Sequence, residues 1–174
     1  MEIVNLKSAS EDLLQRCAKL YCEIWKEPPW NEDFWEPEGV MQDLRRGLSM
    51  PCVEGFLSLH DFTVTGFTWG HAVSRREMEV ISTGSKLDYL FLNSGRVFYV
   101  DELGVASSFR HIGIGETLTK TLLVAAREHD IRAITLRTNK NAHAARKLYQ
   151  KIGFRDLMVE DGKHPDRTYW VLAL

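Results

Sequence analysis

The chain has 174 residues, 44% of them hydrophobic and 26% charged, with a formal net charge of −2. This is the balance of a globular chain long enough to bury a core, and a single domain over 1–174 is expected. The charge leaves no basic footprint for nucleic acid, and no apolar run is long enough to span a bilayer, so neither kind of partner is expected. Three cysteines at unrelated spacings, Cys17, Cys22 and Cys52, argue against a disulfide framework or a zinc site, and no metal is expected. The start MEIVNLKS lacks a signal peptide's apolar region, which points to a cytoplasmic protein.

Glu2 to Lys7 alternates as a first strand. Ser8-Ala9-Ser10-Glu11 fits a capping box, and Leu13, Leu14, Cys17, Leu20, Tyr21 and Ile24 follow at helical spacing, predicting a helix from Glu11 to Lys26. Pro28-Pro29 ends it, and Glu38 to Leu48 reads as a second helix. Val53–Leu59 and Val64–Val73 read as strands joined at a hairpin around His60-Asp61. Residues 75 to 95 are weakly periodic and read as a loop with at most one helical turn. Arg96 to Ala106 is a Val-, Phe- and Tyr-rich strand, followed by an amphipathic helix from Gly115 to Glu128. A strand from Ala133 to Thr138, a helix from Ala142 to Ile152 closed by Gly153, and strands Phe154–Met158 and Thr168–Leu174 complete the chain. The order predicts an α/β domain around a mixed sheet.

Between the Arg96 strand and the Gly115 helix lies Arg110-His111-Ile112-Gly113-Ile114-Gly115. A glycine-bearing turn that opens a helix leaves backbone N–H groups unpaired and aligned with the helix dipole, which makes an anion site. A mononucleotide P-loop would need a lysine after the last glycine, where this chain has Glu116-Thr117. A dinucleotide fingerprint would need a third glycine, where this chain has Leu118. A turn that merely rounds a corner stays open on these six residues alone.

Tyr99 to Gly115, read as YVDELGVASSFRHIGIG, resembles the fourth strand, pyrophosphate loop (R/Q-x-x-G-x-G/A) and third helix of the GNAT superfamily of N-acetyltransferases. Lys147 to Phe154, KLYQKIGF, is similar to that family's second signature, and the element order agrees over the whole chain. The resemblance implies a GNAT-like mixed central sheet of about seven strands, flanked by about four helices, with splayed fourth and fifth strands. It implies acetyl transfer from acetyl-CoA, as co-substrate, to a primary amine by direct attack in a ternary complex. Carried over, the backbone of Leu103, Gly104 and Val105 would hold the pantetheine and acetyl carbonyl. N–H groups from Arg110 through Gly115 would hold the pyrophosphate, with the Arg110 side chain adding charge. Many relatives have an asparagine where this chain has Ala142, and Asn141 or Asn139 would substitute. Tyr149 would protonate the departing thiolate, although ordinary helix physics explains it equally as a core residue.

An amine of pKa ~10.4 costs about 4.6 kcal/mol to deprotonate at neutral pH, so a general base is expected. Glu102 and Asp101 are the candidates, with a water as a third option. Strand alternation would put the two carboxylates on opposite faces. Gly104 in a strand marks a bulge or a close ligand approach. On the acceptor side, the segment from Glu27 to Asp43 carries six acidic residues and no lysine or arginine, beside Trp30, Phe34 and Trp35. Such a wall suits a small cationic amine, polyamine-like or aminoglycoside-like, with Trp30, Glu32 and Trp35 as contacts. His71 is either a second base or an outward strand residue. Acetylation of a protein N-terminus or lysine, a non-catalytic acyl-CoA sensor, a longer acyl donor and a homodimer all stay open at this point.

Overall fold

The computed structural model describes residues 1–92 and 95–174. Strands β1 (Glu2–Asn5), β2 (Glu54–His60), β3 (Thr63–Ser74), β4 (Arg96–Val105), β5 (Ala133–Asn139), β6 (Arg155–Glu160) and β7 (Arg167–Ala173) form one sheet in the order β1-β2-β3-β4-β5-β7-β6. Every neighbouring pair is antiparallel except β4 and β5, whose crossover carries a helix. The β2–β3 hairpin turns at Asp61 and Phe62, both at positive φ (45° and 64°), the geometry of the two-residue turns that match strand twist.

The helices are α1 (Glu11–Trp25), α2 (Pro37–Leu48), α3 (Arg75–Ile81), α4 (Ile114–Arg127) and α5 (His143–Ile152). Ser10 caps α1 by accepting from the Leu13 N–H at 3.3 Å, and Pro37 opens α2, where its missing N–H costs nothing. The apolar faces of these two helices bury against Leu57, Phe67 and Trp69 on one side of the sheet. Leu122, Leu123 and Ala126 of α4, with Tyr149 of α5, bury against Phe98, Leu136 and Trp170. Among the described residues no helix is long and apolar enough to cross a membrane.

The segment expected to be a loop from 75 to 95 is more ordered than its periodicity implied. Ser74 and Glu77 form a reciprocal capping box that starts α3, and Asp88–Phe91 adds a 3-10 turn. The described residues therefore hold five α-helices rather than about four. The signal overlooked was S-x-x-E at the end of β3. Asn93, which was grouped with that loop, lies outside the described residues.

The β4–β5 ladder is short. It pairs Phe98 with Ile134, Tyr99 with Thr135 and Val100 with Leu136, then stops, although β4 continues to Val105 and β5 to Asn139. The ladder ends where β4 bulges against β3: Gly70 faces Val100 and Trp69 faces Glu102, which leaves Asp101 as the extra residue. A bulge bends and twists its strand, so β4 parts from β5 at this point. The expected splay is present, and it begins at Asp101.

Candidate active site

A cavity of about 630 Å³ fills the splay. Its walls are β4 from Val100 to Val105, β5 from Leu136 to Thr138, the turn before α4, the start of α5 with Tyr149, and Pro28-Pro29-Trp30 after α1.

The turn before α4 has the features an anion needs. Gly113 is the N-cap of α4 at φ 94°, in the left-handed region, and a Cβ there would meet nothing within 4 Å. The first backbone bond of α4 runs from the Thr117 N–H to the Gly113 carbonyl at 3.0 Å. Among the described residues, no N–H from His111 through Glu116 has a protein acceptor. His111, Gly113, Ile114 and Gly115 line the cavity, whereas the Ile112 side chain is 69% exposed and points away from it. Arg110 is already engaged: its Nε donates to the Val105 carbonyl (2.9 Å) and its Nη1 to Glu27 Oε2 (2.6 Å). Its side chain thus ties the turn to β4 and to the segment after α1, and its charge is shared with Glu27.

Leu103, Gly104 and Val105 also line the cavity. The reason for a glycine at 104 differs from the sequence expectation. A Cβ there would lie 2.4 Å from Phe67 Cζ and 2.9 Å from Ile24 Cδ1, so core packing demands it, and the bulge sits at Asp101. Asn141 lines the cavity, and among the described residues its side chain has no hydrogen-bond partner. Asn139 is buried and spent, donating to Asp166 (2.6 Å) and accepting from the Asn141 N–H (2.8 Å).

The bulge overturns the expectation that Asp101 and Glu102 face opposite ways. His71 Nδ1–H donates to Asp101 Oδ2 at 2.8 Å, and the Tyr21 hydroxyl donates to Glu102 Oε1 at 3.1 Å. His71 and Trp69 share one face of β3, and the Trp69 ring stacks on Tyr21 of α1. Both carboxylates therefore turn toward the α1 side, because the extra residue cancels one step of alternation. Burial, then the neighbouring Asp101 charge, pushes the Glu102 carboxyl up to about 8. Burial also raises Asp101, against the pull of its hydrogen bond from His71. For His71, burial works against the charged ring, but the bond and charge of Asp101 outweigh it and hold the imidazole above its ordinary value.

Tyr149 projects from α5 against Phe154 and Trp170, with ring centroids 5.7 and 6.2 Å away. Gly153 at φ 108° ends α5, and the Phe154 N–H returns to the Tyr149 carbonyl at 2.9 Å. This is how the second signature holds its tyrosine. Burial raises the Tyr149 phenol, so it carries its proton at neutral pH. Among the described residues its hydroxyl has no hydrogen-bond partner, and it opens on the cavity.

The acceptor-side residues are divided. Trp30 lines the cavity and packs edge-on against Trp25 at 4.7 Å. Glu32 and Trp35 stand behind it. Glu32 accepts from Trp35 Nε1 (2.7 Å) and from Arg167 Nη2 (2.7 Å), and the Arg167 guanidinium lies over the Trp30 ring at 5.3 Å. The acidic wall is thus partly neutralised by Arg167 from β7 and Arg110 from the turn. His71 is absent from the cavity wall and reaches the cavity through Asp101. Sequence reasoning missed Tyr21 and Arg137, the latter lining the cavity from β5, while Glu27 of the acidic segment lines it beside Arg110. Tyr21 and Arg137 carried no local signal, since only the tertiary fold brings them to the carboxylates.

A splayed pair of parallel strands, an unpaired N–H turn on one side and a buried tyrosine beside two carboxylates define a site for acyl transfer from a phosphate-bearing donor. The acetyltransferase (GNAT) family model matches residues 14–154, and the chain belongs to that family. The protein is accordingly an acyl-CoA-dependent N-acyltransferase. Comparison of the sequence with curated proteins gave no match. Among solved structures the chain is similar to PaiA N-acetyltransferase from Thermoplasma acidophilum in complex with coenzyme A, at 16% identity and TM-score 0.71, covering 100% of both chains. It is similar to ribosomal-protein-alanine N-acetyltransferase from Brucella melitensis at 18% identity and TM-score 0.74, again over 100% of both. A third is aminoglycoside 6'-acetyltransferase type Ii, at 15% identity and TM-score 0.69, covering 99% of this chain and 97% of the other. These likenesses establish the fold.

Proposed function

We propose that the protein moves the acetyl group of acetyl-CoA to a primary amine of a small molecule that arrives as an ammonium cation, within a ternary complex. The observation that carries this reading is the placement of Glu102 and Tyr149 on the walls of one cavity whose donor side ends in unpaired N–H groups. Those N–H groups suit a pyrophosphate, and the absence of Cβ atoms at Gly113 and Gly115 gives it room. Asn141 and His143 are polar side chains at the foot of α5 that line the same cavity.

Glu102 takes the proton from the ammonium, since its raised pKa makes it a competent base near neutral pH. The amine nitrogen then bonds to the thioester carbonyl carbon, the carbon–sulfur bond breaks, the sulfur takes its proton from the Tyr149 hydroxyl, and the second proton shed by the nitrogen restores the Tyr149 phenol. Asp101 lies beside this path and, with His71, forms a second acid–base pair. Trp30 offers an aromatic face to the cation. The three free thiols suit the cytoplasmic setting expected from the sequence.

The test is release of free thiol from acetyl-CoA with a panel of small amines, peptides and proteins. Turnover with small amines supports the reading. Turnover with peptides or protein lysines alone would replace it with protein acetylation. Acetyl-CoA binding with no turnover on any acceptor would replace it with a sensor.

A further inference from the structure

Resting on that reading, the cavity also indicates what the acceptor carries besides its amine. Val100 and Leu136 are the last β4–β5 pair, so Asp101 and Arg137 are the first residues beyond it, one on each side of the opening. Arg137 lines the cavity with its side chain 22% exposed. One of its nitrogens, Nη1, donates to Asp161 Oδ2 at 2.7 Å. Among the described residues its other N–H groups have no acceptor, yet none of these nitrogens is sealed from solvent. A guanidinium carries five donors, so most of the fork is unspent and reachable.

Asp161 is the counter-ion of Arg137 but takes up only one of its donors. The same carboxylate also accepts from the Tyr169 hydroxyl and from the Lys163 and His164 N–H groups, so its negative charge is shared among four donors. The other arginines near the site are differently placed. Arg110 is bound to Glu27 and Val105, and Arg167 to Glu32 over the Trp30 ring. Arg137 is close enough for its charge to act on both Asp101 and Glu102. A guanidinium fork matches a planar carboxylate with two parallel N–H bonds, whereas a second ammonium at this position would meet like charge.

We propose that Arg137 is a specificity-determining residue and that the acceptor is a free amino acid, its carboxylate held by Arg137 and its amine turned toward Asp101 and Glu102. This narrows the acceptor from a cationic amine to a zwitterionic one.

The experiment compares free amino acids with the same amino acids as carboxamides, alongside a polyamine and short peptides, using thiol release from acetyl-CoA. The carboxamides keep the ammonium and lose the carboxylate. The expected result is that kcat/KM for the preferred amino acid exceeds that for its carboxamide by about ten- to a hundredfold, the range for a charged hydrogen bond. In Arg137→Gln the acid-to-amide ratio collapses through a rise in KM for the acid, while the effect of the lost charge on Glu102 falls on acid and amide alike. In Arg137→Lys, which keeps the charge without the fork, it falls to an intermediate value. Affinity for coenzyme A and the melting temperature report on folding, and if Arg137→Gln does not fold, the wild-type ratio and Arg137→Lys decide. Equal turnover of acid and carboxamide, or turnover of polyamines or peptides alone, would overturn the assignment while acetyl transfer itself stands. A protein that binds acetyl-CoA and acetylates nothing would overturn both.

Discussion

The Tyr21 hydroxyl donates to Glu102 Oε1 at 3.1 Å, and the Tyr21 ring is held by Trp25, Trp35, Phe67 and Trp69 at centroid distances of 5.3 to 6.1 Å. A donor fixed so firmly orients the carboxylate and stabilises its ionised form. Removing it in Tyr21→Phe keeps the packing and raises the Glu102 pKa further. The rising limb of kcat/KM, set by ionisation near pH 8 in the parent, should move upward by about one pH unit. A pH–rate profile checks this, and an unmoved limb would reduce Tyr21 to a packing residue.

Replacing Glu102 itself separates it from its neighbour. Glu102→Gln should lower kcat/KM by about a hundredfold or more and abolish the rising limb, since a general base contributes about 10²–10⁴. Asp101→Asn should cost less and keep the limb but move it to lower pH, because Asp101 sits behind its bond to His71 and its charge no longer raises Glu102. If Asp101→Asn is the variant that erases the limb, the base assignment belongs to Asp101.

These two residues also show where sequence reading reaches its limit. The seven strands, the donor turn and the tyrosine helix were legible because period, glycine and cap chemistry are local. Gly153 and Phe154 behave as helix-end physics requires. The orientation of Asp101 and Glu102 was not legible, because it depends on a bulge defined by pairing with Trp69 and Gly70, some 30 residues away in the chain. Arg167, just before the strand read from Thr168, neutralises Glu32 across 135 residues and covers Trp30. Such pairings have no local periodicity to reveal them. The α3 capping box, by contrast, is local, since Ser74 and Glu77 lie three residues apart.

Tyr149→Phe leaves the ring among Phe154 and Trp170 and removes the hydroxyl that opens on the cavity. Loss of a general acid should lower kcat by about a hundredfold, with coenzyme A affinity unchanged because the donor turn is untouched. Single-turnover kinetics beside a binding titration would show the split. A parent-like kcat would remove Tyr149 from the chemistry.

The two glycines of the site should fail in different ways. Gly104→Ala places a Cβ 2.4 Å from Phe67 Cζ, so the expected loss is stability, about 1–3 kcal/mol for an overpacked core. Gly113→Val meets no steric neighbour but must hold φ near 94° and crowds the N–H groups of the turn. That backbone conformation costs about 1–2 kcal/mol of stability, and the expected further loss is coenzyme A affinity. Denaturant unfolding and a coenzyme A titration, run on both variants, should show lost stability in both and lost affinity chiefly in Gly113→Val. A stable Gly113→Val that binds coenzyme A normally would place the pyrophosphate elsewhere.

Asp161 anchors the far side of the cavity with its side chain fully buried. Burial alone would push its carboxyl up, but the bonds from Tyr169 and Arg137 outweigh burial and hold it below the usual carboxylate range. A depressed folded pKa means that the stabilisation is complete above the unfolded value, about pH 4, and is lost as pH falls through the folded one. Asp161→Asn leaves Arg137 without its counter-ion and should destabilise the protein by about 3 kcal/mol at pH 7. As acid protonates the parent carboxylate, the two proteins should converge, so the gap measured at pH 7 must shrink below pH 4. Urea unfolding across that range checks the sign. A gap that is constant with pH would mean that the bonds of Asp161 matter to the fold through shape rather than charge.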